Sequence, residues 1–186
     1  MPENVGYRMG NSENSFSWIK LQFHFDNPDS ISGMVDNSGL KIYYTTELRE
    51  HDAGIVILGD PLTSGLPLEP GQKRTERQFT CPSSCTSNMP WSITVISSFL
   101  HMHATGSQVI ALMYPICLRQ AWSTHFRSNS SLGALNTIEY YDYGFQSFNP
   151  VNKVIAPGDE IQTHCVWDTT LRTEETPFGI PSNNEM

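Results

Sequence analysis

The sequence predicts an all-β protein, an antiparallel β-sandwich of jelly-roll type. Three observations lead there. Short runs rich in β-branched and aromatic residues recur along the 186 residues, turns built on Gly, Pro and Asn separate them, and no window shows sustained helical periodicity with caps.

Residues 1 to 15 are polar and read as an irregular lead-in. From Trp18 to Phe25 apolar and polar residues alternate, as in a half-buried strand, and Asn27-Pro28 ends the run. Asp36-Asn37-Ser38-Gly39 turns into a second expected strand, Leu40 to Thr45, and Ala53 to Leu58 makes a third before Gly59-Asp60-Pro61. Pro61 to Gly71, with three prolines and two glycines, suits a linker, so a domain boundary is placed there, between 1–60 and 61–186. Beyond it, strands are expected at Arg77–Thr80, Trp91–Ile96, Val109–Tyr114, Ile138–Tyr143, Lys153–Ile155 and Glu160–Trp167. Ala156-Pro157-Gly158-Asp159 reads as a tight turn before the last of these. There is no internal repeat and no low-complexity tract.

Composition narrows the function. At 38% hydrophobic and 11% aromatic residues the chain is globular. A net charge of −8 with no basic cluster argues against a nucleic-acid partner. No apolar run approaches the length of a membrane span, and no secretory leader opens the chain, so it is expected to be either cytosolic or preceded by further sequence. Cys81, Cys85, Cys117 and Cys165 do not fix the redox compartment, and the spacing of Cys81 and Cys85 without a second pair disfavours a four-sulfur zinc site. Asn129-Ser130-Ser131 is a glycosylation sequon, relevant only to a secreted chain.

The chemistry-bearing stretch is Phe99-Leu100-His101-Met102-His103-Ala104-Thr105-Gly106. In extended backbone, residues two apart share a face, so His101 and His103 aim two imidazoles at one point, which suits copper or zinc. The plain alternative is a pair of ordinary strand histidines. A thioether joining the two rings, with Met186 as a candidate, gives a soft set that favours Cu(I) and leaves an open position for dioxygen. His24 reads as a strand histidine, His164 beside Cys165 makes a poor joint ligand, and His51 and His125 lie in polar stretches expected to be exposed. No nucleophile elbow, P-loop, dinucleotide-binding glycine motif or zinc-protease motif is present. Asp159 and Glu160 read as turn residues, not an acid–base pair.

These words, taken together and in order, resemble the copper type II ascorbate-dependent monooxygenases, most closely the dopamine-β-hydroxylase-like branch. The matching words are Leu21 to Pro28, Ser38 to Thr45, Ala53-Gly54-Ile55, Leu100 to Gly106, Pro157-Gly158-Asp159 and Asn184-Glu185-Met186. The resemblance implies two copper sites on two adjacent β-sandwich domains. Residues 1–60 then correspond to the closing strands of the first domain, and 61–186 to the second, catalytic domain, incomplete at its C-terminus. His101, His103 and Met186 match the ligands of the catalytic copper, and His24 matches one histidine of the electron-transfer copper. The other two histidines of that site form an adjacent pair in the family, and no His-His occurs in these 186 residues. At most one site is therefore complete here. By the same resemblance, Cys81 and Cys165 are disulfide candidates whose partners lie beyond Met186, and Phe99 stands where the peptide-amidating branch carries an arginine, which argues against a peptide substrate.

Two functional expectations follow. One is a segment of a secretory-pathway monooxygenase that hydroxylates a C–H bond of a small, phenethylamine-like amine with dioxygen, copper and ascorbate. The other is a truncated or degenerate copper-binding domain without turnover. Any membrane association would come from segments outside this chain, and a sandwich serving only as a binding module requires the ordered matches to be accidental.

Overall fold

A computed structural model of the chain describes residues 1–13, 15–21, 23, 25, 27, 29–59, 66–103, 120–139, 141–143 and 145–179, with Trp122 described in its backbone only. The chain divides into two compact units, Met1–Val56 and Ile57–Met186. Among the described residues the only helix is the four-residue turn α1 (Ser83–Thr86), and everything else regular is strand. No helix among them is long and apolar enough to cross a membrane.

Among the described residues the first unit holds one short parallel strand pair, β1 (Val5–Gly6) and β2 (His51–Asp52). Neither Leu40–Thr45 nor Ala53–Leu58 is a strand, and no described residue of Trp18–Phe25 lies in one. These three expectations are corrected. Alternation marks which side of a segment is fit for burial, but a ladder also needs a partner strand, and none faces these segments among the described residues. Leu40, Ile42 and Tyr44 are accordingly 62%, 58% and 89% exposed.

Among the described residues every strand pairing of the second unit is antiparallel. One sheet has four strands in the order β3 (Thr75–Cys81), β8 (Glu160–Trp167), β5 (Gln120–Arg127), β6 (Ser130–Ile138), and β4 (Ile93–Ser98) pairs with β7 (Asn149–Ile155) in a second. The expected strands at 77–80, 91–96, 153–155 and 160–167 are all present, with ends moved by a few residues. Val109–Tyr114 lies outside the described residues. Ile138–Tyr143 is corrected: β6 stops at Ile138 and Tyr141 instead turns into the interior.

β8 is central, and its alternate residues Ile161, Thr163, Cys165 and Trp167 are buried as period-two geometry requires. Cys165 and Trp167 join Leu68, Leu100, Met102, Ala121 and Tyr141 in the core, with Phe178 edge-on to Trp167 at 5.9 Å. β5 went unrecognised because its inward residues are Ala121, Ser123 and His125. Ser123 meets Thr163 across the ladder with its hydroxyl oxygen 2.9 Å away, so that polar pair is satisfied without water. The described half of the proline-rich stretch is tied in: Leu68 is fully buried and exchanges backbone hydrogen bonds with Thr176 at 2.9 and 3.0 Å.

Candidate metal centre

The His101–His103 segment follows β4 after two residues and belongs to no strand. What holds it is a side chain. The Tyr141 hydroxyl accepts from the Met102 N–H at 2.8 Å and donates to the Met102 carbonyl at 2.6 Å, satisfying both backbone groups of that residue. Met102, between the two histidines in sequence, is fully buried and so anchored. Their ring centres lie 5.1 Å apart with the planes nearly perpendicular at 87°.

That spacing fits one shared ion. Metal–nitrogen bonds of about 2.0–2.1 Å place a metal roughly 3 Å from an imidazole centre, so two centres at this separation can bind the same ion. His103 is buried and His101 partly so, and imidazoles withdrawn from water are good ligands when neutral. Among the described residues no third His, Cys, Asp or Glu completes the set. Met186 and His24, the other ligands expected from the sequence, lie outside the described residues.

Around the rings is an aromatic and amide frame that the sequence did not disclose. Phe99 stacks on His101 at 5.7 Å and 18°, Phe148 stacks on Phe99 at 4.8 Å, and Tyr143 stands edge-on to His103 at 6.3 Å. Gln146 Oε1 lies 2.6 Å from His101 Nδ1. Nothing in the local sequence marks Tyr141, Gln146 or Phe148, because their meaning depends on a contact with a segment some forty residues earlier.

A second titratable cluster is structural. Asp159, fully buried, accepts from Arg127 Nε at 2.7 Å and Arg127 Nη2 at 2.9 Å, from His125 Nε2 at 2.7 Å and from the Ala156 N–H at 2.7 Å. The Arg127 guanidinium foremost, and then the Ala156 amide and His125, hold the Asp159 carboxyl well below the ordinary carboxylate range, against the opposing effect of burial. The expectation that His125 is exposed is thereby corrected: it is 2% exposed, because a buried carboxylate gives it a partner. The Thr86 hydroxyl donates to the Asp159 carbonyl, tying α1 to the same turn.

The remaining sequence candidates are separate from the histidine pair. Cys81 and Cys85 carry thiols, and burial first, then the neighbouring Cys85, pushes the Cys81 thiol up. Cys81 pairs with Ile161 and Cys165 with Arg77 in the β3–β8 ladder, so those two cysteines stand apart. Cys117 lies outside the described residues. Asn129 is exposed on the two-residue turn between β5 and β6, where it and Ser128 adopt positive φ of 64° and 49°.

The sequence profile of the copper type II ascorbate-dependent monooxygenase C-terminal domain matches residues 51–186. Among curated proteins, the whole chain aligns with tyramine beta-hydroxylase of Caenorhabditis briggsae at 30% identity and with dopamine beta-hydroxylase of Canis lupus familiaris at 30%. It also aligns along its whole length with MOXD1 homolog 1 of Drosophila melanogaster at 34%. It spans 30%, 28% and 25% of those proteins' lengths, respectively.

Proposed function

Because the chain belongs to the copper type II ascorbate-dependent monooxygenase family, we propose that it binds copper through His101 and His103 as the catalytic segment of such an enzyme. When bound, copper supplies the redox chemistry by which dioxygen delivers one oxygen atom into a substrate C–H bond, with electrons from ascorbate. Met186 is the third, thioether donor in this reading, and His24 belongs to an electron-entry site completed elsewhere in a longer protein. The substrate is a small amine of phenethylamine type, in keeping with the names of the relatives. Residues 1–60 correspond to the closing segment of a preceding domain, and 61–186 form the catalytic one. Passage through the secretory pathway, with a glycan on Asn129 and disulfides from Cys81 and Cys165, belongs to the same proposal.

The chain's own residues have distinct tasks. Tyr141 fixes the backbone between the two ligands, so that the rings reach one point without rearrangement. Phe99 stacks on one face of His101, and Phe148 stacks in turn on Phe99. The observation that carries the reading is the 5.1 Å approach of two nearly perpendicular imidazoles on an anchored segment. The alternative reading is a copper-binding domain without turnover.

Elemental analysis of copper in the purified chain tests the site. One equivalent in the wild type and little in His101→Ala is expected, whereas equal copper in both rejects the ligand assignment. Hydroxylation of tyramine with ascorbate by this chain alone would exclude the inactive reading.

A further inference from the structure

One loop, Tyr141 to Phe148, addresses the whole candidate ligand segment. Tyr141 grips the backbone of Met102, Tyr143 meets the ring of His103, Gln146 meets His101, and Phe148 backs the Phe99 ring that stacks on His101. Of these contacts, the one from Gln146 decides something chemical.

The Gln146 Nε2 donates to the Tyr143 carbonyl at 2.9 Å. A carbonyl can only accept, so this bond fixes which end of the amide is which: the nitrogen faces Tyr143 and the oxygen faces His101. The oxygen also can only accept, and it lies 2.6 Å from His101 Nδ1. The Nδ1 must therefore carry the proton. A neutral imidazole has one N–H, so the lone pair is left on Nε2. An unconstrained neutral histidine favours the opposite arrangement, with the proton on Nε2.

Resting on the copper reading above, we infer that Gln146 is a positioning residue, selecting the His101 tautomer whose Nε2 is available to bind a metal. The Tyr143 carbonyl orients Gln146, Gln146 sets the proton on His101, and the Phe99 ring, 18° from parallel, restrains the plane in which the imidazole lies. Outer partners of this kind fix tautomer and orientation of metal-binding histidines and typically change affinity by about 10- to 100-fold when removed.

The test has a readout that needs no metal. Long-range proton–nitrogen NMR of the metal-free chain, at about pH 8 and so above the ordinary imidazole range, reports which ring nitrogen of His101 is protonated. The wild type is expected to show the Nδ1–H form. Gln146→Leu is expected to move the population toward Nε2–H, and Gln146→Glu, which keeps an acceptor, to restore Nδ1–H. Competition with a chromophoric Cu(I) chelator is expected to show about a 10- to 100-fold loss of affinity in Gln146→Leu and none in Gln146→Glu. An Nε2–H wild type, or a Gln146→Leu variant with unchanged tautomer, overturns the inference. A loss of Cu(I) affinity in His103→Ala without one in Gln146→Leu overturns the role of Gln146 alone. Unchanged affinity in both variants rejects the copper reading, and the positioning role with it.

Discussion

At the scale of the residue, the Tyr141 hydroxyl does for Met102 what a neighbouring strand does elsewhere: it takes one N–H and supplies one O–H to the same residue. Tyr141→Phe leaves that buried N–H and carbonyl without this partner, which typically costs roughly 1–3 kcal/mol. The expected result is a lower urea midpoint together with weaker Cu(I) binding, since the rings lose their anchor; unchanged Cu(I) affinity would show that Tyr141 serves the core only. The described histidines divide by the same logic of partners. His103→Ala is expected to lower Cu(I) affinity at least about tenfold, while His125→Ala, which removes a bond to a charged, buried carboxylate, lowers stability by about 1.5–3 kcal/mol and leaves Cu(I) affinity intact. The pairing of His101 with His103 was legible in the sequence because period-two spacing is a local property. The burial of His125 was not, since its reason, Asp159, lies in another strand's turn, and Gln146 carries no local mark at all.

At the scale of the element, the turn before β8 shows how much a short motif can hold. Ala156-Pro157-Gly158-Asp159 was readable as a tight turn, and the Asp159 N–H does bond the Ala156 carbonyl at 3.1 Å with Gly158 at φ +87°. A Cβ on Gly158 meets only Ser87 Oγ at 3.7 Å, an ordinary contact, so Gly158→Ala acts through backbone strain and is expected to cost about 1 kcal/mol in thermal or urea unfolding. The Asp159 side chain was underread: it joins β5 to the turn through His125 and Arg127. Its folded-state affinity for a proton lies below the unfolded one, so its contribution is fully present above the ordinary Asp value of 3.8 and is lost as pH falls below it. Stability should therefore drop on acidification through pH values under that point. Asp159→Asn should lower stability at neutral pH and flatten this acid slope; an acid slope equal to that of the wild type would show that other carboxylates set it.

At the scale of the molecule, the two units differ in what supports their backbones. In Ile57–Met186 the strands β3, β8, β5 and β6 exchange ladder bonds in succession and enclose a core around Trp167. In Met1–Val56 the described residues carry one two-residue strand pair, and Trp18, Ile42, Tyr44 and Ile55 are 73%, 58%, 89% and 77% exposed. The all-β class and most strands of the second unit were legible because alternation there coincides with ladder partners. Among the described residues the three strands expected before residue 60 are not formed, because alternation cannot supply a partner. Opening free energy falls where buried apolar contacts and ladder bonds are few, and proteases report that population when opening is fast relative to cleavage. Limited trypsin digestion of the intact chain should then cut first after Lys20, Lys41 and Arg49, while Arg77 in β3 and Lys153 in β7 persist. Intact-mass analysis over time decides the order of cleavage. Early cuts at Arg77 or Lys153 would mean that the ladders of the second unit do not hold in solution. Protection of Lys20 and Lys41 would mean that the exposed apolar residues of the first unit are covered, as happens when copies of the chain associate.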